Sequence, residues 1–239
     1  MTAKRWLTAA LAAMLVASPV IADDTGFFVG GGAFAEKAFG SSSTTNGGAS
    51  WGGGGIVDNV RFGTGAGGGL QAGYRFDEAR SVFLSYDYSR SDVGWDAAFP
   101  ALGPSTKSRF DGTAVSNALM GNFAYDFALS DATKLQTSVG AGLSLNTLLN
   151  VRESDFSNGG FISNLENHTQ ISPVAQLGAS LTHHITPGIT LSLNASASYT
   201  RGFETGNSRS DNVVTTDITP YEIENIWRTK VGTALRFAF

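Results

Sequence analysis

Cysteine is absent from all 239 residues. In an exported chain that excludes a disulfide framework, so stability must come from elsewhere. Charge is sparse: Asp, Glu, Lys and Arg make up 15%, where an average soluble domain holds about 25%. No segment past residue 22 strings together 18 apolar residues, so no transmembrane helix is encoded. The net charge is mildly acidic, −4 overall, which argues against nucleic acid as a partner. No motif requires a cofactor or a metal.

What is present begins with "MTAKRWLTAALAAMLVASPVIADD". Lys4 and Arg5 precede an apolar run from Leu7 to Ala17, Pro19 breaks it, and Val20-Ile21-Ala22 supplies small or apolar residues before a cut. That layout predicts a secretory signal peptide over residues 1–22. The run is roughly ten residues, while a spanning helix needs about 20. The remaining domain, residues 23–239, then carries 14 basic and 20 acidic residues, a net charge of −6.

Within that domain, apolar and polar residues alternate with period two in eight segments. They lie near 25–38, 65–76, 81–90, 114–127, 134–147, 172–183, 189–201 and from about 226 to the end. The third sets Val82, Leu84, Tyr86 and Tyr88 against Ser81, Ser85, Asp87 and Ser89. The last, "TKVGTALRFAF", sets Val231, Leu235, Phe237 and Phe239 against Lys230, Gly232 and Arg236. Short links (Asp77–Arg80, Ala128–Thr133, His184–Gly188) alternate with long polar ones near 39–64, 91–113, 148–171 and 202–225. A soluble sandwich also alternates but has no reason to alternate its loop lengths. The pattern predicts an all-β fold: an eight-stranded antiparallel up-and-down transmembrane β-barrel with short periplasmic turns and long extracellular loops. Lipid tolerates such a sheet only when it is closed.

An eight-stranded barrel has an interior just wide enough for side chains to fill it. The predicted lumen holds Gln71, Arg75, Asp87, Asn122, Asp126, Gln136, Gln176, Asn194, Arg228, Lys230 and Arg236. Buried charges must be paired. Asp87 and Asp126 are therefore expected to pair with members of Arg75, Arg228, Lys230 and Arg236. The surplus cations need other carboxylates or a wet mouth. Small inward residues (Ser138, Gly140, Gly178, Ser180, Ser196) leave room for water.

Other motifs lack their context. "GASWG" around Ser50 matches a nucleophile elbow but sits in a polar loop without the required strand and helix. "GTGAGG" (Gly63 to Gly68) runs into a strand rather than opening a helix. His183 and His184 fall at a periplasmic turn, whereas His168, with Ser163 and Glu166 near it in sequence, falls on the outer side. The three histidines therefore do not converge on a metal. The loop aromatics Trp51, Trp95, Phe99, Phe156, Phe161, Phe203 and Trp227 are expected to anchor girdles or to adhere. The loops near 148–171 and 202–225 are acidic.

"GGGLQAGYRFD" (Gly67 to Asp77) and "NALMGNFAYDF" (Asn117 to Phe127) are similar to strand-and-turn segments of the small porin-like outer-membrane barrels. That family includes the opacity proteins, the transmembrane domain of outer-membrane protein A and related surface antigens of alpha-proteobacteria. The final strand, with Val231, Leu235, Phe237 and a terminal Phe239, resembles the assembly signal that such proteins present to the barrel-assembly machinery. The resemblance implies residence in the outer membrane of a Gram-negative cell, a monomer, and outer-membrane lipid and lipopolysaccharide as neighbours. It implies a family and a location, not an activity; the leading expectation for function is a non-enzymatic surface protein that supports the envelope and uses its loops for adhesion or host contact. The alternatives are a narrow channel for small solutes or ions, and a lipid-A-modifying enzyme, since some barrels of this fold use a His with a Ser near the outer leaflet.

Overall fold

A computed structural model describes residues 25–42, 55–103, 106–211 and 213–239. The expected signal peptide, Ser50 and Trp51 lie outside the described residues. Twelve strands form one antiparallel sheet: β1 (Gly26–Ser41), β2 (Ile56–Phe62), β3 (Thr64–Arg75), β4 (Arg80–Ala98), β5 (Lys107–Ala128), β6 (Thr133–Asp155), β7 (Phe161–Leu165), β8 (His168–Thr186), β9 (Ile189–Glu204), β10 (Ser208–Ser210), β11 (Thr215–Asp217) and β12 (Glu222–Ala238).

Eight of them close a ring in the order β1-β3-β4-β5-β6-β8-β9-β12, and β12 returns to β1. Each of the eight alternating segments forms one of these strands. Closure is continuous from Phe28 opposite Ala238 to Phe39 opposite Trp227, and the Phe239 amide donates to the Phe27 carbonyl at 3.0 Å. No edge in the membrane is left with unpaired backbone groups.

The alternation sorts the side chains into two environments. Leu70, Leu84, Leu119, Val139, Leu143, Leu177, Leu193 and Val231 face outward and stay exposed, as lipid contact requires. At the short-turn end Phe27, Tyr74, Phe76, Tyr125, Phe127, Phe237 and Phe239 make an aromatic girdle, with Phe27 edge-on to Tyr74 at 5.0 Å and Tyr125 against Phe127 at 4.8 Å. Near the other end Tyr199 packs on Trp227 at 5.2 Å. Gly65, Gly67 and Gly68 of the "GTGAGG" stretch lie in the wall at the start of β3. A side chain at Gly67 would meet the Tyr88 carbonyl at 2.2 Å and the Phe34 ring at 2.6 Å.

The long connections are less loop-like than their polar composition predicts. β4, β5 and β6 run well past the apolar belt, and β2 joins the upper edge of β4. β7, β10 and β11 extend the sheet from the upper edge of β6. Three bulges accompany the extension, with Asn59, Asn150 and Asn225 at φ of 51°, 53° and 53°. Asparagine tolerates that left-handed conformation better than most residues. On β6 the inward residues are Asn146 and Leu148 below Asn150, but Val151 and Glu153 above it. On β12 they are Ile226, Arg228 and Lys230 below Asn225, but Ile223 above it. Each bulge thus switches the parity of the inward face.

Candidate functional site

The interior has two storeys. In the membrane-spanning storey, Asp126 is nearly inaccessible. Its Oδ2 accepts from Arg75 Nη2 at 2.9 Å and its Oδ1 from Gln136 Nε2 at 2.6 Å. Gln136 Oε1 in turn accepts from Arg236 Nη2 at 3.1 Å. Asp87 accepts from Lys230 Nζ at 2.8 Å. Asn122 donates to Ser85 at 2.9 Å. The crowding is resolved by missing side chains: a Cβ at Gly140 would sit 2.1 Å from Asn122 Oδ1, and one at Gly69 would sit 2.5 Å from Asp87 Oδ1. Arg228 reaches neutral oxygens only, Ser116 at 2.7 Å and Asn146 at 3.3 Å.

All eight residues picked out for the lumen network (Arg75, Asp87, Asn122, Asp126, Gln136, Arg228, Lys230 and Arg236) point inward, and Gln71, Gln176 and Asn194 line a cavity beside them. A third carboxylate, Glu36 on β1, joins them and was missed, because the small and aromatic residues of "GFFVGGGAFAEKAFGS" hide which face is polar. The inward face is also more aromatic than its polar pattern implies. Arg236 lies over the Phe28 ring at 4.4 Å and Lys230 over Phe34 at 4.7 Å.

The outer storey, built largely from stretches whose composition reads as long polar loops, is apolar inside. Trp95, Phe110, Tyr221, Phe62, Phe203, Leu148, Val151, Ile223 and Ile226 form one buried core, contributed by β2, β4, β5, β6, β9, β12 and the residue before β12. Trp95 stacks on Phe110 at 5.2 Å with the planes 4° apart, and Tyr221 caps Phe110 at 5.0 Å. Burial, with Glu153 adding to it, pushes the Tyr221 phenol well above its ordinary range. Trp95 and Phe203, read from sequence as anchors or adhesive groups, are thus core residues; Phe156, Phe161 and Trp227 remain exposed.

Beside this core, buried Glu153 accepts from Ser108 at 2.7 Å, Ser163 at 2.6 Å and Arg209 Nε at 2.8 Å. The Arg209 contact pins the strand pair β10–β11 to β6. On the outside, Asp96 takes Arg61 at 3.3 Å and Arg109 at 3.5 Å, tying β2, β4 and β5 together. Burial works to raise the Asp96 carboxyl, but the hydrogen bonds from Asn59 and Arg61 outweigh it and hold it below the usual value. Ser163 bonds Glu153, while His168 lies 4.0 Å from Glu204. The structure does not bring His168 and Ser163 into a catalytic pair.

A closed ring of eight antiparallel strands, apolar outside and charged within, defines a transmembrane β-barrel of the outer-membrane kind. Among solved structures the chain is similar to the outer membrane protein OprG from Pseudomonas aeruginosa, at 14% identity and a TM-score of 0.53, over 92% of this chain and 100% of that one. Neisserial surface protein A aligns at 19% identity and a TM-score of 0.42, over 90% of this chain and 97% of that one. The attachment invasion locus protein Ail of Yersinia pestis aligns at 13% and 0.42, over 89% and 99%. No protein-family model and no curated protein matches the chain.

Proposed function

We propose that the chain is a non-conducting, non-enzymatic surface protein of the outer membrane whose work is done by its extracellular sheet and loops. The observation that carries this reading is the apolar core of the outer storey. A water path needs polar lining or open space, and here Trp95, Phe110, Ile223 and Ile226 occupy the mouth with 0–1% exposure. Below it the ion pairs of Asp87 and Asp126 cross the lumen. The effort invested in the exterior points the same way. Four strands outside the ring, β2, β7, β10 and β11, assemble in the outer region beside the prolonged ring strands, and Val213 and Val214 stand exposed at the tip of the β10–β11 pair. Exposed apolar groups at an apex suit contact with another surface. The barrel itself supplies mechanical continuity to the envelope, and β12, with Val231, Leu235 and Phe237 on its outer face, serves as the assembly signal.

Single-channel recording of the refolded domain in a planar bilayer tests this reading. Silence is expected once insertion is confirmed by heat-modifiable mobility on a gel. Discrete, reproducible conductance steps would transfer the argument to the narrow-channel alternative.

A further inference from the structure

The membrane-spanning lumen holds an odd charge. Its inward cations are Arg75, Arg228, Lys230 and Arg236; its inward carboxylates are Glu36, Asp87 and Asp126. Lys134 lies at the short-turn rim, bonded to the Glu78 carbonyl at 3.2 Å, where water reaches it. Among the described residues one positive charge is therefore left over: Asp126 pairs with Arg75, Asp87 with Lys230, and Glu36 is the carboxylate whose charge acts on Arg228, which leaves Arg236. Asp126 is shared by two guanidiniums: Arg75 holds it directly, and Arg236 reaches it only through the neutral amide of Gln136. Arg236 makes no salt bridge to any described carboxylate. Its Nε and Nη1 are buried with no hydrogen-bond partner among the described residues.

Arg236 also lines a cavity of about 140 Å³. The other polar groups on that wall include Ser138, Ser180, Ser196, Gln176 and Asn194, amides and hydroxyls that can all donate. Lys230 and its partner Asp87 lie at the margin. The volume is several times the roughly 30 Å³ that one water takes in the liquid. It suits one small ion with a few waters. A buried charge without a counter-charge is costly, and the polar groups around this one are neutral apart from Lys230 and Asp87 at the margin, which are paired with each other.

We propose that this cavity binds one small monovalent anion, with chloride as the physiological example, as the counter-ion of Arg236. A single negative charge cancels the surplus, whereas a doubly charged oxyanion would overshoot it and face Asp87 and Asp126. The site is independent of whether the barrel conducts, so it stands or falls apart from the surface reading above.

The test uses the refolded domain in detergent, exchanged into glutamate as a bulky counter-anion at fixed ionic strength. Bromide is added, and the temperature at which the heat-modifiable band converts is followed. A ligand that binds only the folded barrel raises that temperature with a saturating dependence. The rise is expected in the wild type and absent in Arg236→Gln, which removes the surplus charge. It is also absent in Gln176→Glu, which supplies a carboxylate from the cavity wall; that variant keeps the test alive if Arg236→Gln does not fold. Bromide-soaked crystals should show one anomalous peak within hydrogen-bonding distance of Arg236. An unsaturating response common to all three proteins would overturn the proposal. So would a saturating response to phosphate alone, or a cavity holding water but no bromide.

Discussion

Replacing Asp126 with Asn removes the one carboxylate that both Arg75 and Gln136 address. The Asp126 side chain is 2% exposed and that of Arg75 is 16% exposed, so the pair is shielded from solvent on the aspartate side. Deleting one partner of a buried pair costs about 3–5 kcal/mol, because the other charge stays behind uncompensated. Asparagine keeps an oxygen that Gln136 can still use, which places the expected loss near the lower end, about 3 kcal/mol. At about 1.4 kcal/mol per decade, the unfolding constant rises roughly a hundredfold. Urea titration of the refolded domain in vesicles, read by tryptophan fluorescence and gel mobility, measures it. The paired substitution Asp126→Asn with Arg75→Gln removes both charges and should be less damaging than the sum of the two single changes. A loss below about 1 kcal/mol for Asp126→Asn, the level of a solvent-screened pair, would refute the reasoning. Strict additivity in the double variant would do the same.

Other changes probe the outer storey and the chain's end. Trp95→Ala empties a fully buried aromatic site and should cost about 3–5 kcal/mol in the same titration. Asp155 is held below the usual carboxylate value by hydrogen bonds from the Ser157 hydroxyl and the Ser157 and Asn158 amides. Because its folded value is depressed, the bonds contribute stability above the ordinary value of 3.8 and lose it as pH falls further. Pepsin cleavage at exposed Phe156 should therefore accelerate below that pH, and Asp155→Ala should show comparable cleavage before it. Phe239→Ala alters a half-exposed girdle residue. It should leave refolding into vesicles nearly unchanged while lowering the amount assembled in cells, measured as heat-modifiable protein in outer-membrane fractions.

The sequence disclosed the barrel wherever one face meets lipid, because lipid imposes a strict period of two. Leu70, Ala72 and Tyr74, or Leu191, Leu193 and Ala195, can be read straight off. Beyond the belt no lipid enforces the alternation, and the three asparagine bulges switch its phase. The pattern on β6 therefore fades after Thr147, although the strand continues to Asp155. The aromatic residues of those stretches then looked like loop ornaments, and Trp95 and Phe203 were placed on the surface although they are interior. Lumen residues were legible as polar positions opposite apolar ones. Their partners were legible only as a set of four candidate cations, from which Asp126 takes Arg75 and Asp87 takes Lys230; Lys230 and Asp87 meet across 143 positions of sequence and no local signal singles out that pair. Glu36 escaped because the preceding Gly and Ala give no contrast between faces and Lys37 beside it puts a charge on the other face as well.

The way the ring shuts has a consequence for how the molecule comes into being. Its seam joins the first strand to the last, Val29 against Phe237, and its deepest contacts join distant segments, as Arg228 does with Ser116 across 112 positions. Such long-range pairing is slow to form and yields little until most of it is in place. A half-built sheet would present Arg228, Lys230 and Arg236 to hydrocarbon with no Asp87 or Gln136 to receive them. Partial products are therefore penalised by the same charges that the finished barrel conceals. The polar interior therefore favours the complete ring: without β12, for example, Asp87 would keep its buried charge and lose Lys230.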